Sequence, residues 1–151
     1  LMITRSSGFS LVELLVVVAI IGILSATGMV LYSGYIQSAK ASAAKNLMAQ
    51  IALAQSEQYA NSGSYFKTDS TEVCAPRSPT SNDGVETIVQ IEVALFDGDQ
   101  TIPRDGGYGY CIGGTDSNNF LVRAQEFVSG DSTQCTLEVR RRGGVQPSEG
   151  C

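Results

Sequence analysis

Residues 8–24 read Gly8-Phe9-Ser10-Leu11-Val12-Glu13-Leu14-Leu15-Val16-Val17-Val18-Ala19-Ile20-Ile21-Gly22-Ile23-Leu24. After Glu13 no charge recurs before Leu31, and an uncharged apolar run of that length can cross a hydrocarbon core as one helix. Upstream stand a single cation, Arg5, and the small-residue turn Ser6-Ser7-Gly8. A secretory signal would carry its cleavage site after the apolar core, and no small-x-small site with a clear break follows here, so the run is expected to stay with the protein. Arg5 on the near side and the shortage of basic residues just beyond Leu31 place the N-terminus on the cytoplasmic face. Glu13 does not suit a plain anchor, because an acid at bilayer depth costs about 2.5–3.5 kcal/mol on insertion scales. Either it sits shallow enough to reach the headgroups or it has a function.

The string from Gly8 to Leu24 resembles the N-terminal signature of type IV pilins and pseudopilins. That resemblance implies cleavage by a prepilin peptidase between Gly8 and Phe9, with Gly8 as the recognition residue, then N-methylation of the new Phe9 amine. It implies that Glu13 pairs with the Phe9 amino group of a neighbouring subunit in a filament. A buried carboxylate that is costly alone becomes tolerable beside an ammonium, and the mismatch selects axial register. The implied organisation is a leader at 1–8, a transmembrane and filament-core helix at 9–36, and an extracytoplasmic domain at 37–151. The chain would lie in the bacterial inner membrane before assembly and in an extracellular fibre after it.

Working outward, Ile36, Ala39, Ala43, Leu47, Ile51 and Ala54 recur at three- or four-residue steps, the stripe of an amphipathic helix. No proline interrupts residues 9–59, and Asn61-Ser62-Gly63 supplies a stop. One helix of that extent would run roughly 75 Å, more than a domain of this size can bury. The stretch from Gln55 to Tyr65 is similar to the helix end of many pilins. Where pilins commonly carry a proline late in the membrane half, this chain has Val30; Gly22, Gly28 and Gly34 either soften that stretch, by about 1 kcal/mol each against alanine, or permit close helix packing.

Beyond a polar loop at 66–84, alternation at Val85, Thr87, Val89, Ile91, Val93 and Leu95 predicts a half-buried strand over 85–95. Further strands are expected at 107–112, 120–128 and 133–141. The fold class is therefore α+β: a long N-terminal helix packed on a four-stranded antiparallel sheet. Cys74, Cys111, Cys135 and Cys151 all follow the apolar run, without CxxC spacing and with no histidine in the chain, so they read as two disulfides in an oxidising compartment, reduced buried thiols being the alternative. The resemblance implies that Cys135 with Cys151 pins the C-terminal segment and that Cys74 with Cys111 fastens the loop to the sheet. Closing the first of these loops stabilises by about 3 kcal/mol in the chain-entropy model.

The same residues exclude much chemistry. A chain without histidine has no His-based triad, and no glycine-rich phosphate loop followed by lysine occurs, so neither an enzyme nor a bound cofactor is expected. Asp97-Gly98-Asp99 and Asp116-Ser117-Asn118-Asn119 offer oxygens for calcium but do not match the twelve-residue loop, and turn chemistry explains them as well. Gly106-Gly107-Tyr108-Gly109-Tyr110 reads as a glycine-rich lead into a hairpin. The net charge of −5 argues against bulk nucleic-acid binding, yet Arg140, Arg141 and Arg142 form a local run. It reads as solvated charge that blunts strand pairing, or as a phosphate-binding patch for DNA. Three functions follow: a pilus subunit, major or minor, for adhesion, twitching motility or DNA uptake; a pseudopilin of a type II secretion system; and a DNA-binding minor pilin. Their partners would be other pilin subunits, prepilin peptidase, the assembly machinery and, for the last, DNA.

Overall fold

The computed structural model describes residues 8–127 and 134–149. Its elements are α1 (Leu11–Ser62), α2 (Asn82–Leu95), β1 (Tyr108–Gly113), β2 (Leu121–Glu126), β3 (Thr136–Arg140) and β4 (Gln146–Glu149). The chain divides into two compact units, Leu1–Ala39 and Lys40–Cys151. In the first, the large apolar side chains between Phe9 and Leu24 are exposed. α1 runs unbroken through Gly22, Gly28 and Gly34, and an added Cβ at any of the three would meet nothing within 4 Å.

In the second unit α1 buries Ala44, Leu47, Met48, Ile51 and Gln55, with Ala41, Ala52 and Tyr59 packed at the margin. The expected stripe is thus rotated: Leu47 and Ile51 are on it, whereas Ala39 and Ala43 are exposed. Gly63, at φ 72°, ends the helix, its N–H bonding to Tyr59 O at 2.8 Å.

The sheet is an antiparallel meander in the order β1-β2-β3-β4. On one face Tyr108, Tyr110, Ile112, Val122, Ala124, Leu137 and Val139 join the core with α1. The other face of β1 is formed by Gly109, Cys111 and Gly113 and is buried as well. Its cover is the loop before α2. A Cβ at Gly109 would sit 1.8 Å from the Arg77 carbonyl oxygen, so only glycine lets that backbone approach. The loop also closes the free edge of β1, since Thr68 N and Asp69 N donate to Ile112 O at 2.9 and 3.2 Å and Ile112 N donates to Thr68 Oγ1 at 2.9 Å.

The strand expected at 85–95 is instead helix α2. Ser81 caps it, accepting from Gly84 N at 3.1 Å, and the buried positions Gly84, Ile88, Ile91 and Glu92 follow helical steps. Val89 and Val93, which alternation placed on the core face, are exposed. The β-branched residues gave the segment a spurious period of two, while its length and its Ser-Asn-Asp start belong to a helix. The sheet keeps four strands because β4, unforeseen, pairs with β3; its Pro147 is tolerated on an edge strand. β2 and β3 lie inside their expected ranges and β1 runs one residue past its own, to Gly113, while Val128 and Thr133 fall outside the described residues.

Two polar side chains lock loops onto this core. Gln55, fully buried, accepts from Phe66 N at 2.9 Å and donates to Phe66 O at 2.7 Å, fixing the reversal after α1. Glu92, buried on α2, accepts from Ile102 N at 2.9 Å and pairs with Arg104 at 3.1 Å, pinning the loop that brings Ile102 into the core. Removing the carboxylate leaves the buried Ile102 N–H without a partner and releases the partly exposed Arg104 to water, so Glu92→Ala should destabilise the second unit by about 2 kcal/mol. Tyrosine fluorescence during urea unfolding of the detergent-solubilised chain reads the change. Burial, reinforced by the Glu126 carboxylate, pushes the Tyr108 hydroxyl up to about 12, and burial raises Tyr110 in the same direction. These raised values stabilise the fold fully below the ordinary tyrosine range and are lost above it. Stability should therefore fall as pH climbs from 10 towards 12, as fluorescence-monitored melts across that window would detect.

Candidate functional site

The N-terminal constellation is built by the start of α1. Ser10 stands just before the first helical residue, and Glu13 is three positions on. The Glu13 carboxylate accepts from Ser10 N at 3.4 Å, the reciprocal half of a capping box. Leu14 N donates to Ser10 O at 3.2 Å, the first bond of the helix. Glu13 thus lies in the first turn, where the helix dipole favours an anion. The Ser-x-x-Glu spacing is itself a sequence signal for a helix start at this point. The bond to Ser10 engages one carboxylate oxygen and leaves the other able to accept from an ammonium. Gly8 and Phe9 precede the helix in non-helical backbone, with Phe9 exposed.

Behind this start, α1 has the length and composition to cross a membrane. Its few polar side chains there turn back onto the helix: Ser25 donates to Ile21 O at 2.7 Å and Thr27 to Leu24 O at 3.1 Å. Satisfied this way, the hydroxyls add little to the cost of an apolar environment.

Of the expected disulfides, Cys74–Cys111 is present, closing a separation of 37 residues. That loop is worth about 4 kcal/mol in the chain-entropy model. Among the described residues no cysteine is free. Cys135 is buried on the Leu137 side of the sheet as expected, while the link proposed for it involves Cys151, outside the described residues. Sequence reasoning missed the row beside the disulfide. Cys111, Arg123 and Glu138 are register partners across β1, β2 and β3. Arg123 donates to Cys74 O at 2.9 Å, and its Nε lies 3.0 Å from a Glu138 oxygen, close enough for an ion pair though not aligned as a hydrogen bond.

Arg140 ends β3, and Arg141 and Arg142 form the following turn. Arg140 approaches Glu138 at 3.7 Å, Arg141 donates to Asn118 O at 2.8 Å, and the three arginines share a pocket with Asp116, Asn118 and Asn119. Asp97, at φ 53°, and Asp99 shape the turn after α2, where Gly98 N bonds to Glu92 O; Asp116 accepts from Asn118 N. Among the described residues no three acidic or cysteine side chains converge as a metal site. Gly107 leads into β1 at φ 76°, its carbonyl taking Phe127 N at 2.7 Å.

The family model for the prokaryotic N-terminal methylation motif matches residues 3–29. No curated protein matches the chain. No solved structure matches it either. Residues 3–29 therefore carry the class III signal of type IV pilins, at the start of a chain with a long N-terminal helix and a four-stranded antiparallel sheet.

Proposed function

We infer that this chain is a subunit of a type IV pilus, cut by prepilin peptidase between Gly8 and Phe9, methylated at Phe9, held in the inner membrane by α1 and then assembled through α1 into a fibre. The observation that carries the reading is the methylation motif on a helix whose large apolar side chains from Phe9 to Leu24 are exposed and which holds Glu13 as the one acid of that half. The Cys74–Cys111 disulfide favours a pilus over the alternative pseudopilin, whose major members commonly lack such links. The DNA-binding alternative gains less, because Arg141 is spent on the Asn118 carbonyl and only two of the three arginines are left for a backbone.

If the reading holds, intact-mass measurement on sheared fibres finds a chain that begins at methylated Phe9. Fibre subunits still carrying Arg5 would overturn it. Glu13→Ala removes a contact to the neighbour's amine while relieving a membrane penalty, so the variant should remain in the membrane fraction and its fibre yield should drop about tenfold or more. Immunoblots of fibre and membrane fractions measure both, and wild-type fibre yield would show that Glu13 is not the assembly device.

A further inference from the structure

The loop Asp116-Ser117-Asn118-Asn119 and the turn bearing Arg140, Arg141 and Arg142 line a pocket of about 380 Å³. The loop is fixed by bonds from three directions. Tyr65 N donates to Ser117 O at 3.2 Å, the Tyr59 hydroxyl donates to the Asn118 side-chain oxygen at 3.1 Å, and Lys67 donates to Asp116 O. Within it, Asn118 N donates to one Asp116 carboxylate oxygen at 2.8 Å, and Asn119 Oδ1 accepts from Phe120 N. Arg141 ties the turn to the loop through the Asn118 carbonyl and lies 6.0 Å over the Tyr65 ring, itself stacked on Tyr59. The walls are thus held in place by the protein, which lowers the ordering cost of binding.

With Arg141 occupied as a strut, Arg140 and Arg142 bring guanidinium donors to the pocket and Asp116 brings an acceptor-only carboxylate. The Asn118 side chain, its oxygen taken by Tyr59, has its amide N–H groups left to give. A ligand that satisfies all of these needs an anionic acceptor and hydroxyl donors a few bonds apart. Any anion meets the Asp116 charge, and a DNA backbone, which offers acceptors without hydroxyl donors, has nothing to give that carboxylate in return. A hexuronate has a carboxylate suited to the guanidinium fork and ring hydroxyls suited to Asp and Asn. We propose that this pocket binds a uronic-acid residue of an acidic polysaccharide, with the sugar carboxylate on Arg140 and Arg142 and a ring hydroxyl on Asp116. The site belongs wholly to the Lys40–Cys151 unit and does not depend on assembly into a fibre.

Calorimetric titration of the detergent-solubilised full chain with oligogalacturonate, a neutral galactan oligosaccharide and duplex DNA tests the assignment. Oligogalacturonate should bind, and the neutral oligosaccharide should not. Arg140→Gln/Arg142→Gln should weaken oligogalacturonate about tenfold or more, as loss of charge-assisted hydrogen bonds requires. Asp116→Asn keeps an oxygen for the Asn118 amide, so the loop survives. It relieves the same like charge for either anion but replaces the oxygen that accepts the ring hydroxyl with an amide donor, so the ratio of oligogalacturonate to DNA affinity should fall. Absence of oligogalacturonate binding, equal affinity for the neutral sugar, indifference to either variant, or tighter binding of DNA would each overturn the proposal. Selectivity of the unsubstituted chain among the three ligands decides the matter even where a variant loses its fold.

Discussion

Glu13 is the only charge between Arg5 and Lys40, and its carboxylate has to be accommodated wherever the apolar half of α1 goes. In the single chain the helix itself does part of this, through the Ser10 amide and the positive end of the dipole. Neither contribution supplies a counter-ion. An apolar surround leaves the residual charge costly, and an ammonium from another chain would offset it. The capping contact and an intermolecular pair are compatible, since a carboxylate has two oxygens, so the residue that opens the helix can also register it against a neighbour.

The second unit solves a different problem, that of a small sheet with edges. β1 is buried on both faces and bonded along its outer edge because the loop between α1 and α2 wraps it, and the wrap is secured by Gly109, by Cys74–Cys111 and by Arg123 on the Cys74 carbonyl. At the opposite edge, β4 carries Pro147, which withholds a donor from any further strand. Gln55 and Glu92 then anchor the loops that follow each helix. Gln55 and Glu92 thus act as clamps on irregular backbone, through the Phe66 and Ile102 main-chain groups.

The long helix, the end near Gly63 and three strands were legible in the sequence, because charge distribution, helical period and glycine punctuation are local signals; the Cys74–Cys111 pairing came only from the resemblance, since spacing does not fix connectivity. α2 was not legible. From Val85 to Leu95 the odd positions are β-branched or apolar and the even ones include Glu86, Gln90 and Glu92, so period alone misassigned it, although Ile88 breaks the alternation; the Ser81 cap and the buried Glu92 that distinguish a helix acquire meaning only with their partners, Gly84 and Ile102. β4 lay hidden for a similar reason: four residues with a proline have no strand signature until β3 is beside them. The rotation of the α1 stripe reflects Gln55, a polar residue on the buried face whose role requires knowing that the chain turns back at Phe66. At the candidate sites, residue types could be read directly, but the strut role of Arg141 depends on a loop more than twenty residues away.

Helical reconstruction of a fibre of this chain at side-chain resolution tests most directly whether the Glu13 charge is matched between chains. If it is, the Phe9 nitrogen of one subunit lies within ion-pair distance, about 4 Å, of the Glu13 carboxylate of its neighbour. A Glu13 carboxylate closed only on its own Ser10 amide, with the neighbouring Phe9 nitrogen elsewhere, would contradict it.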